Sequence, residues 1–275
     1  MIDLAIIGSG PAALSAAIYA ARSNLRVVVF EKAKIGGALT EIAKIRNFPG
    51  YSGSGAELAK KMEEQCKGFG VKIEYGEAEK IEKQSDGSFI VTIDGEPVST
   101  RAVIVATGSE PKKLDISGIE KPVSYCAICD GALYKDKHVA VIGGGNSAIQ
   151  ESIHLAHIAK DVKIFVRSKI TAQPNIVDHL AWEPVVIKED AVLSAEELNE
   201  FDAIFVYIGK KPATDFLDAS ILSDDGYIMT ENYETKIPGL FAAGDVREGS
   251  IKQAITASAD GAAAALAAVD FLSKK

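Results

Sequence analysis

Apolar positions along the chain fall into short continuous runs and longer spaced ones, in a recurring order. Residues 3–7 form a nearly unbroken apolar run that stops at Gly8-Ser9-Gly10-Pro11. Such a run, bounded by glycine, predicts a buried strand. Helical spacing follows over residues 12–23, then a second strand-like run over 27–31, giving a β-α-β unit of about 30 residues. The order returns at 138–142 (strand), Gly143-Gly144-Gly145 (turn), 147–159 (helix) and 162–166 (strand). Two copies of one unit predict two nucleotide-binding lobes.

Between the copies, residues 56–68 read as an amphipathic helix. Residues 72–81, 89–94 and 96–99 read as strands around Asp86-Gly87, and 101–106 as a strand closed by Thr107-Gly108. Further on, 184–187 and 191–193 are short strand candidates, and 252–272 reads as a helix. No low-complexity linker separates the lobes, so boundaries are expected at turns, near Pro111-Lys112 and Pro238-Gly239. The expectation is an α/β fold of two Rossmann-like domains. The first is discontinuous (1–113 with 239–275); the second covers 114–238.

Composition narrows the function classes. A chain of 275 residues is long enough for two domains with ordinary cores. A net charge of -8 gives no electrostatic support for nucleic-acid binding. The most apolar stretch, 262–272, is broken by Asp270 and short for a bilayer, and the N-terminus lacks a basic n-region. Three cysteines, two of them close together, are no secreted disulfide framework. A cytoplasmic enzyme without nucleic-acid or membrane partners is expected.

The first fingerprint is Gly8-x-Gly10-x-x-Ala13, with Pro11 and Ala12 opening the helix. Its glycines let backbone approach a pyrophosphate, and the helix N-terminus offers unpaired N–H groups. Glu31, with Lys32 beside it, ends the second strand, where an acid accepts from a ribose hydroxyl. Ala106-Thr107-Gly108 and Gly244-Asp245 end later strands. Together these segments point to FAD.

Cys126-Ala127-Ile128-Cys129 is a dithiol spacing suited to disulfide exchange. Alternatives are a zinc half-site or an inert pair; zinc wants four ligands, and His138, His154, His157 and His179 are not spaced with the pair. Asp130 adjoins the second thiol and is either a proton carrier or a turn former. Cys66 reads as a packed helix residue.

These motifs, with the NFPG turn at 47–50, ATGSEPKKL from Ala106, SYCAICDGALY from Ser124, GGGNSA from Gly143 and GLFAAGDV from Gly239, resemble the low-molecular-weight, bacterial-type thioredoxin reductases over nearly the whole chain. The resemblance implies that Gly8, Gly10, Pro11, Glu31, Gly37, Leu39, Asn47, Thr107, Gly108, Gly244, Asp245, Gln253 and Ala254 line FAD, with Ala12, Lys32, Ala106 and Lys252 nearby. It implies a homodimer in which Cys129 faces the flavin and Cys126 attacks a thioredoxin-like disulfide. The domain carrying the dithiol is then expected to swing about crossings near Leu114 and Ile237.

The second fingerprint, Gly143, Gly145, Asn146 and Ser147, suits a pyridine nucleotide. After the strand at 163–166, however, the family's His-Arg-Arg motif with its further Arg is reduced to Arg167, with Lys169 as a lesser cation. The family's antiparallel strands after Lys169 are also shortened. The donor is therefore expected to be NADPH with weakened binding, NADH, or a carrier such as reduced ferredoxin. Arg167, with no acid next to it in sequence, is expected to leave a modest NADPH preference. A flavin-binding sensor is the non-enzymatic alternative, disfavoured by the intact dithiol.

Overall fold

The computed structural model describes residues 2–42, 44–182 and 185–274. They form two compact units: residues 2–109 with 212–274, and residues 110–211.

Unit 1 opens as β1 (Ile2–Ile7), α1 (Pro11–Arg22) and β2 (Val27–Glu31), then α2 (Gly55–Gly68). β3 (Lys72–Tyr75), β4 (Ala78–Lys83), β5 (Phe89–Ile93) and β6 (Glu96–Val105) follow. The run read as one strand over 72–81 divides because the chain changes partner. Gly76 N–H donates to Glu31 O of the parallel neighbour, and Glu77 N–H donates to the Asp94 side chain of the antiparallel hairpin. Conversely, the two strands expected at 96–99 and 101–106 are one, β6.

Unit 2 carries β7 (Val123–Ser124), α3 (Ala127–Asp130), β8 (His138–Ile142), α4 (Asn146–Ala156) and β9 (Asp161–Phe165). β10 (Val185–Lys188) and β11 (Ala203–Val206) complete a parallel sheet ordered β7-β11-β8-β9-β10. Pro184, expected to open β10, lies outside the described residues. Residues 191–193 are not a strand: the chain turns at Asp190 (φ 50°), and Ala191 N–H returns to Val166 O.

The chain then returns to unit 1, adding β12 (Leu240–Ala242) and α5 (Ala254–Ser273). The sheet of unit 1 reads β3-β2-β1-β6-β5-β4, with β12 also parallel to β6. The return crossing falls at Lys211–Pro212, not at Pro238-Gly239. Residues 212–238 belong to unit 1 because Ile221 and Ile228 are buried beside Phe89, Val103 and Leu240. Leu114 and Ile237, the expected hinge positions, each pack within a unit, Leu114 against the cluster of Ile142 and Phe165 and Ile237 against that of Phe89.

α5, at 20 residues, is long and apolar enough by length and composition to cross a membrane, which its uneven sequence pattern concealed. Its buried face places it in the core of unit 1. Ala257, Ala264, Ala265, Ala268 and Leu272 join Ala13, Leu14 and Ala17 of α1 in one cluster. The helices meet closely: a Cβ on Gly261 would sit 1.9 Å from Ala12 O.

Candidate active site

In unit 1 the carboxyl ends of β1 and β6 meet beneath the N-terminus of α1. Ala106 N–H donates to Ile7 O, and a Cβ on Gly8 (φ 98°) would stand 2.6 Å from Ala106 O. Gly10 caps α1 and faces open space, with no atom within 4 Å of a Cβ position. The Gly36-Gly37 turn comes against it, Gly37 (φ 50°) lying 3.6 Å from Gly10 Cα by the same measure. Gly244 (φ 76°) abuts Ala12 from the other side.

α1 and α2 differ at their starts in a telling way. α2 has a full capping box, Ser54 with Glu57, which satisfies its own first N–H groups. α1 has no side-chain cap and no acid in its first turn. An open, glycine-lined surface over uncapped N–H groups fits a pyrophosphate. Glu31 is buried, accepting from Ser9 Oγ at 2.6 Å and from Ala33 N–H at 2.8 Å. Each carboxylate oxygen has a further lone pair for a hydroxyl donor. These residues fit FAD.

The other expected flavin positions divide. Asn47 Nδ2 donates to Gln253 Oε1 at 3.0 Å, joining two segments far apart in sequence at the start of α5. Gly108 is open at φ 68°, whereas the Thr107 hydroxyl is turned to Ala213 O at 2.8 Å. Leu39 is a core residue, 2% exposed. Lys32 pairs with Glu77 at 3.3 Å, and Lys252 donates to the Tyr227 hydroxyl at 2.5 Å. Asp245 lies in the turn after β12, and Ala254 is the first residue of α5.

Unit 2 repeats the turn with changes. A Cβ on Gly143 would meet Tyr207 O at 2.3 Å, and Gly145 caps α4 with no side-chain cap and no acid in the first turn. Asn146 and Ser147 are exposed there. The segment after β9 folds onto this turn. Thr171 and Ala172 N–H both donate to Gly144 O, and Gln173 N–H donates to Asn146 Oδ1 at 2.8 Å. Arg167 and Lys169 are exposed. Sequence proximity showed no acid here, but Glu189, at the end of β10, accepts from Ile170 N–H at 2.9 Å. The register of β9 with β10 brings that carboxylate across.

Cys126 and Cys129 are joined as a disulfide, with Cα atoms 5.3 Å apart. Cys126 caps α3, and its Sγ accepts from Cys129 N–H at 3.2 Å. Two residues outside the expected site set hold this turn. Tyr207, directly after β11, accepts from Ala127 N–H on its hydroxyl at 2.9 Å. Ser124 contacts both Cys126 N–H and Asp130.

A family model for pyridine nucleotide-disulphide oxidoreductases matches residues 2–261. The chain belongs to that family. Within it, the chain is a thioredoxin reductase-like, FAD-dependent disulfide oxidoreductase. Thioredoxin reductase of Bacillus subtilis is 38% identical, the match covering 96% of this chain and 92% of that protein. The crystal structure of Lactococcus lactis thioredoxin reductase is 35% identical with a TM-score of 0.93, covering both chains fully. A ferredoxin-flavin thioredoxin reductase from Clostridium acetobutylicum is 31% identical with a TM-score of 0.59, over 100% of this chain and 99% of that one. The family's cofactors are FAD and a pyridine nucleotide, and the two uncapped glycine turns, one in each unit, are the places in this reductase that suit them.

Proposed function

We propose that the chain reduces a thioredoxin-like disulfide, drawing electrons from a pyridine nucleotide through FAD to Cys126 and Cys129. The observation that carries this reading is the joined Cys126–Cys129 pair, its first residue half-buried and its second exposed. FAD supplies the two-electron relay between donor and disulfide. Gly8, Gly10, Pro11 and Ala12 hold its pyrophosphate and Glu31 its ribose. The segments around Gly37, Asn47, Gly108, Asp245 and Gln253 take the remainder. Gly143, Gly145, Asn146 and Ser147 hold the pyrophosphate of the nucleotide, leaving Arg167 for its 2′-phosphate.

In the reduced enzyme the Cys126 thiolate, favoured by Cys129 N–H, attacks one sulfur of the partner disulfide. That bond breaks, a mixed disulfide with Cys126 forms, and the departing partner thiolate takes a proton from the Asp130 carboxyl. Asp130, now ionised, accepts the Cys129 thiol proton. Cys129 attacks Cys126 Sγ, the internal disulfide closes, and the second partner thiolate leaves with the proton from Asp130. Two protons and two electrons reach the partner as two thiols.

The test is anaerobic mixing of the FAD-loaded protein with NADPH, then NADH, followed by oxidised thioredoxin. The reading requires flavin bleaching by a nucleotide and recolouring by thioredoxin. Bleaching by neither nucleotide favours a second reading, reduced ferredoxin as donor. The observation behind it is the Glu189 carboxylate, which binds Ile170 N–H in the loop whose cations are Arg167 and Lys169. The assembly is a homodimer in this proposal, supported by exposed apolar residues near and on one helix, Ile251, Ile255 and Leu266. A dithiol enzyme with a free buried Cys66 suits the reducing cytoplasm.

A further inference from the structure

Ser124 ends β7 and is 6% exposed, yet its hydroxyl meets three polar atoms of the redox turn. It lies 2.6 Å from Asp130 Oδ2 and 3.3 Å from Cys126 O, and it accepts from Cys126 N–H at 3.1 Å. A hydroxyl has one proton to give. The carboxylate, closer and more basic than the carbonyl, takes it, since hydrogen bonds to ionised oxygens are both shorter and stronger. The acceptor side of the same oxygen is taken by Cys126 N–H. Ser124 therefore joins the first cysteine's backbone to one named oxygen of the carboxylate that follows the second cysteine.

We infer that Ser124 is a positioning residue for proton delivery to the leaving thiolate: it fixes the Asp130 carboxyl so that Oδ1, and not Oδ2, carries the transferable proton. The inference rests on the proton role proposed for Asp130. With Oδ2 accepting from Ser124 in both protonation states, the acid proton resides on Oδ1. Among the described residues no hydrogen bond occupies that atom, so its proton is left for a departing sulfur. Asp130 N–H donates to Cys126 O and Ala127 N–H to the Tyr207 hydroxyl, so two backbone bonds of the turn do not involve Ser124. Removing the hydroxyl frees the carboxyl to rotate without opening the turn.

Proton delivery matters only when the leaving thiolate is a strong enough base to need it. This separates positioning from simple scaffolding. FAD-loaded protein is reduced with dithiothreitol, desalted without oxygen, and mixed in single turnover with two probes. One is oxidised glutathione, whose alkyl thiolate leaves with a pKa near the usual thiol value of about 8.5. The other is dithiobis(nitrobenzoate), whose aryl thiolate is a weak base. Ser124→Ala is expected to slow the glutathione reaction about tenfold at pH 7 and the aryl reaction less than twofold. Ser124→Thr, which keeps the hydroxyl, is expected to restore both. Adding Ser124→Ala to Asp130→Asn should cost little further, because the two act as one unit. Equal slowing with both probes would make Ser124 a scaffold and overturn the inference. So would unchanged rates with both probes while Asp130→Asn alone is slow on glutathione. If Asp130→Asn leaves the glutathione reaction unchanged, the proton role of Asp130 itself falls, and the inference with it.

Discussion

Cys66 and Cys129 have the same side chain and opposite surroundings. Cys66 is fully buried on α2, its Sγ donating to Leu14 O at 3.3 Å, and burial pushes its thiol up to about 12. A thiol with that value stays protonated and unreactive at neutral pH. After dithiothreitol reduction and desalting, iodoacetamide at pH 8 should therefore label two thiols in the folded chain and a third only in denaturant. Cys66→Ala should keep disulfide reduction, whereas Cys129→Ser should abolish it. Glu189 gives a second prediction at this scale. In the proposed nucleotide site only Arg167 is left for a 2′-phosphate, each such charge-assisted bond being worth roughly 1.5–3 kcal/mol, and the Glu189 carboxylate binds the Ile170 N–H of the same loop. Calorimetry should find NADPH bound at least about tenfold more weakly than by an arginine-clamped site. Glu189→Arg should tighten NADPH about tenfold while moving NADH little. What the sequence displayed at this scale were residues whose role is local: glycines of turns and the paired cysteines. Tyr207 and Glu189 act across strand register, which no spacing within one segment reveals, and Ser124 acts inside the redox turn through a hydroxyl whose partners the motif does not display.

Elements were legible where their amphipathic period was unbroken. The strand at residues 27–31 and that at 138–142 lie where the apolar runs put them, and α1, α2 and α4 depart only at their ends. The strand break at Gly76 and the absence of a strand at 191–193 were not legible, because they arise from the partners the backbone takes, not from local composition. Two contacts between elements carry predictions. The first is the crossing of α5 on α1. Gly261→Ala would drive a methyl into Ala12 O, and forced overpacking costs about 1–3 kcal/mol. Thermal denaturation should show that loss, together with weaker retention of flavin, since Ala12 belongs to the cradle. The second is the tie between β1 and β2. Asp3 is bound by Arg26 through two side-chain bonds and a backbone N–H, with Arg101 adding a longer contact. The Arg26 bonds hold the Asp3 carboxyl down to about 2. A depressed carboxylate stabilises the fold above its unfolded value of about 3.9 and ceases to do so as pH falls through about 2. Discounted for the exposed Arg26 side chain, the contribution is about 1–2 kcal/mol. Asp3→Asn should lower stability by that amount at pH 7, and the difference from wild type should vanish between pH 4 and pH 2 in urea titrations.

At the scale of the molecule, the sequence announced two lobes but misplaced the second boundary. Glycine and proline at 238–239 look like a border, yet the irregular segment before them is buried against β5 and β6. Where unit 1 is interrupted, its two ends lie together: Ala213 N–H donates to Gly108 O at 3.1 Å. Replacing residues 110–211 by a short Gly-Ser linker should therefore leave a yellow protein with one cooperative melting transition and no disulfide reductase activity. Light scattering tests the homodimer, with Leu266→Asp expected to yield monomers. The interruption also has a temporal meaning. A ribosome delivers residues 110–211 as a finished unit while β12 and α5 are still unmade. Unit 1 begins first and can close only after unit 2 is made, since the small-residue face of α1 finds its partner in α5. A nascent chain stalled just short of α5 should already show a protease-resistant middle, whereas its amino-terminal third remains cleavable until α5 has emerged.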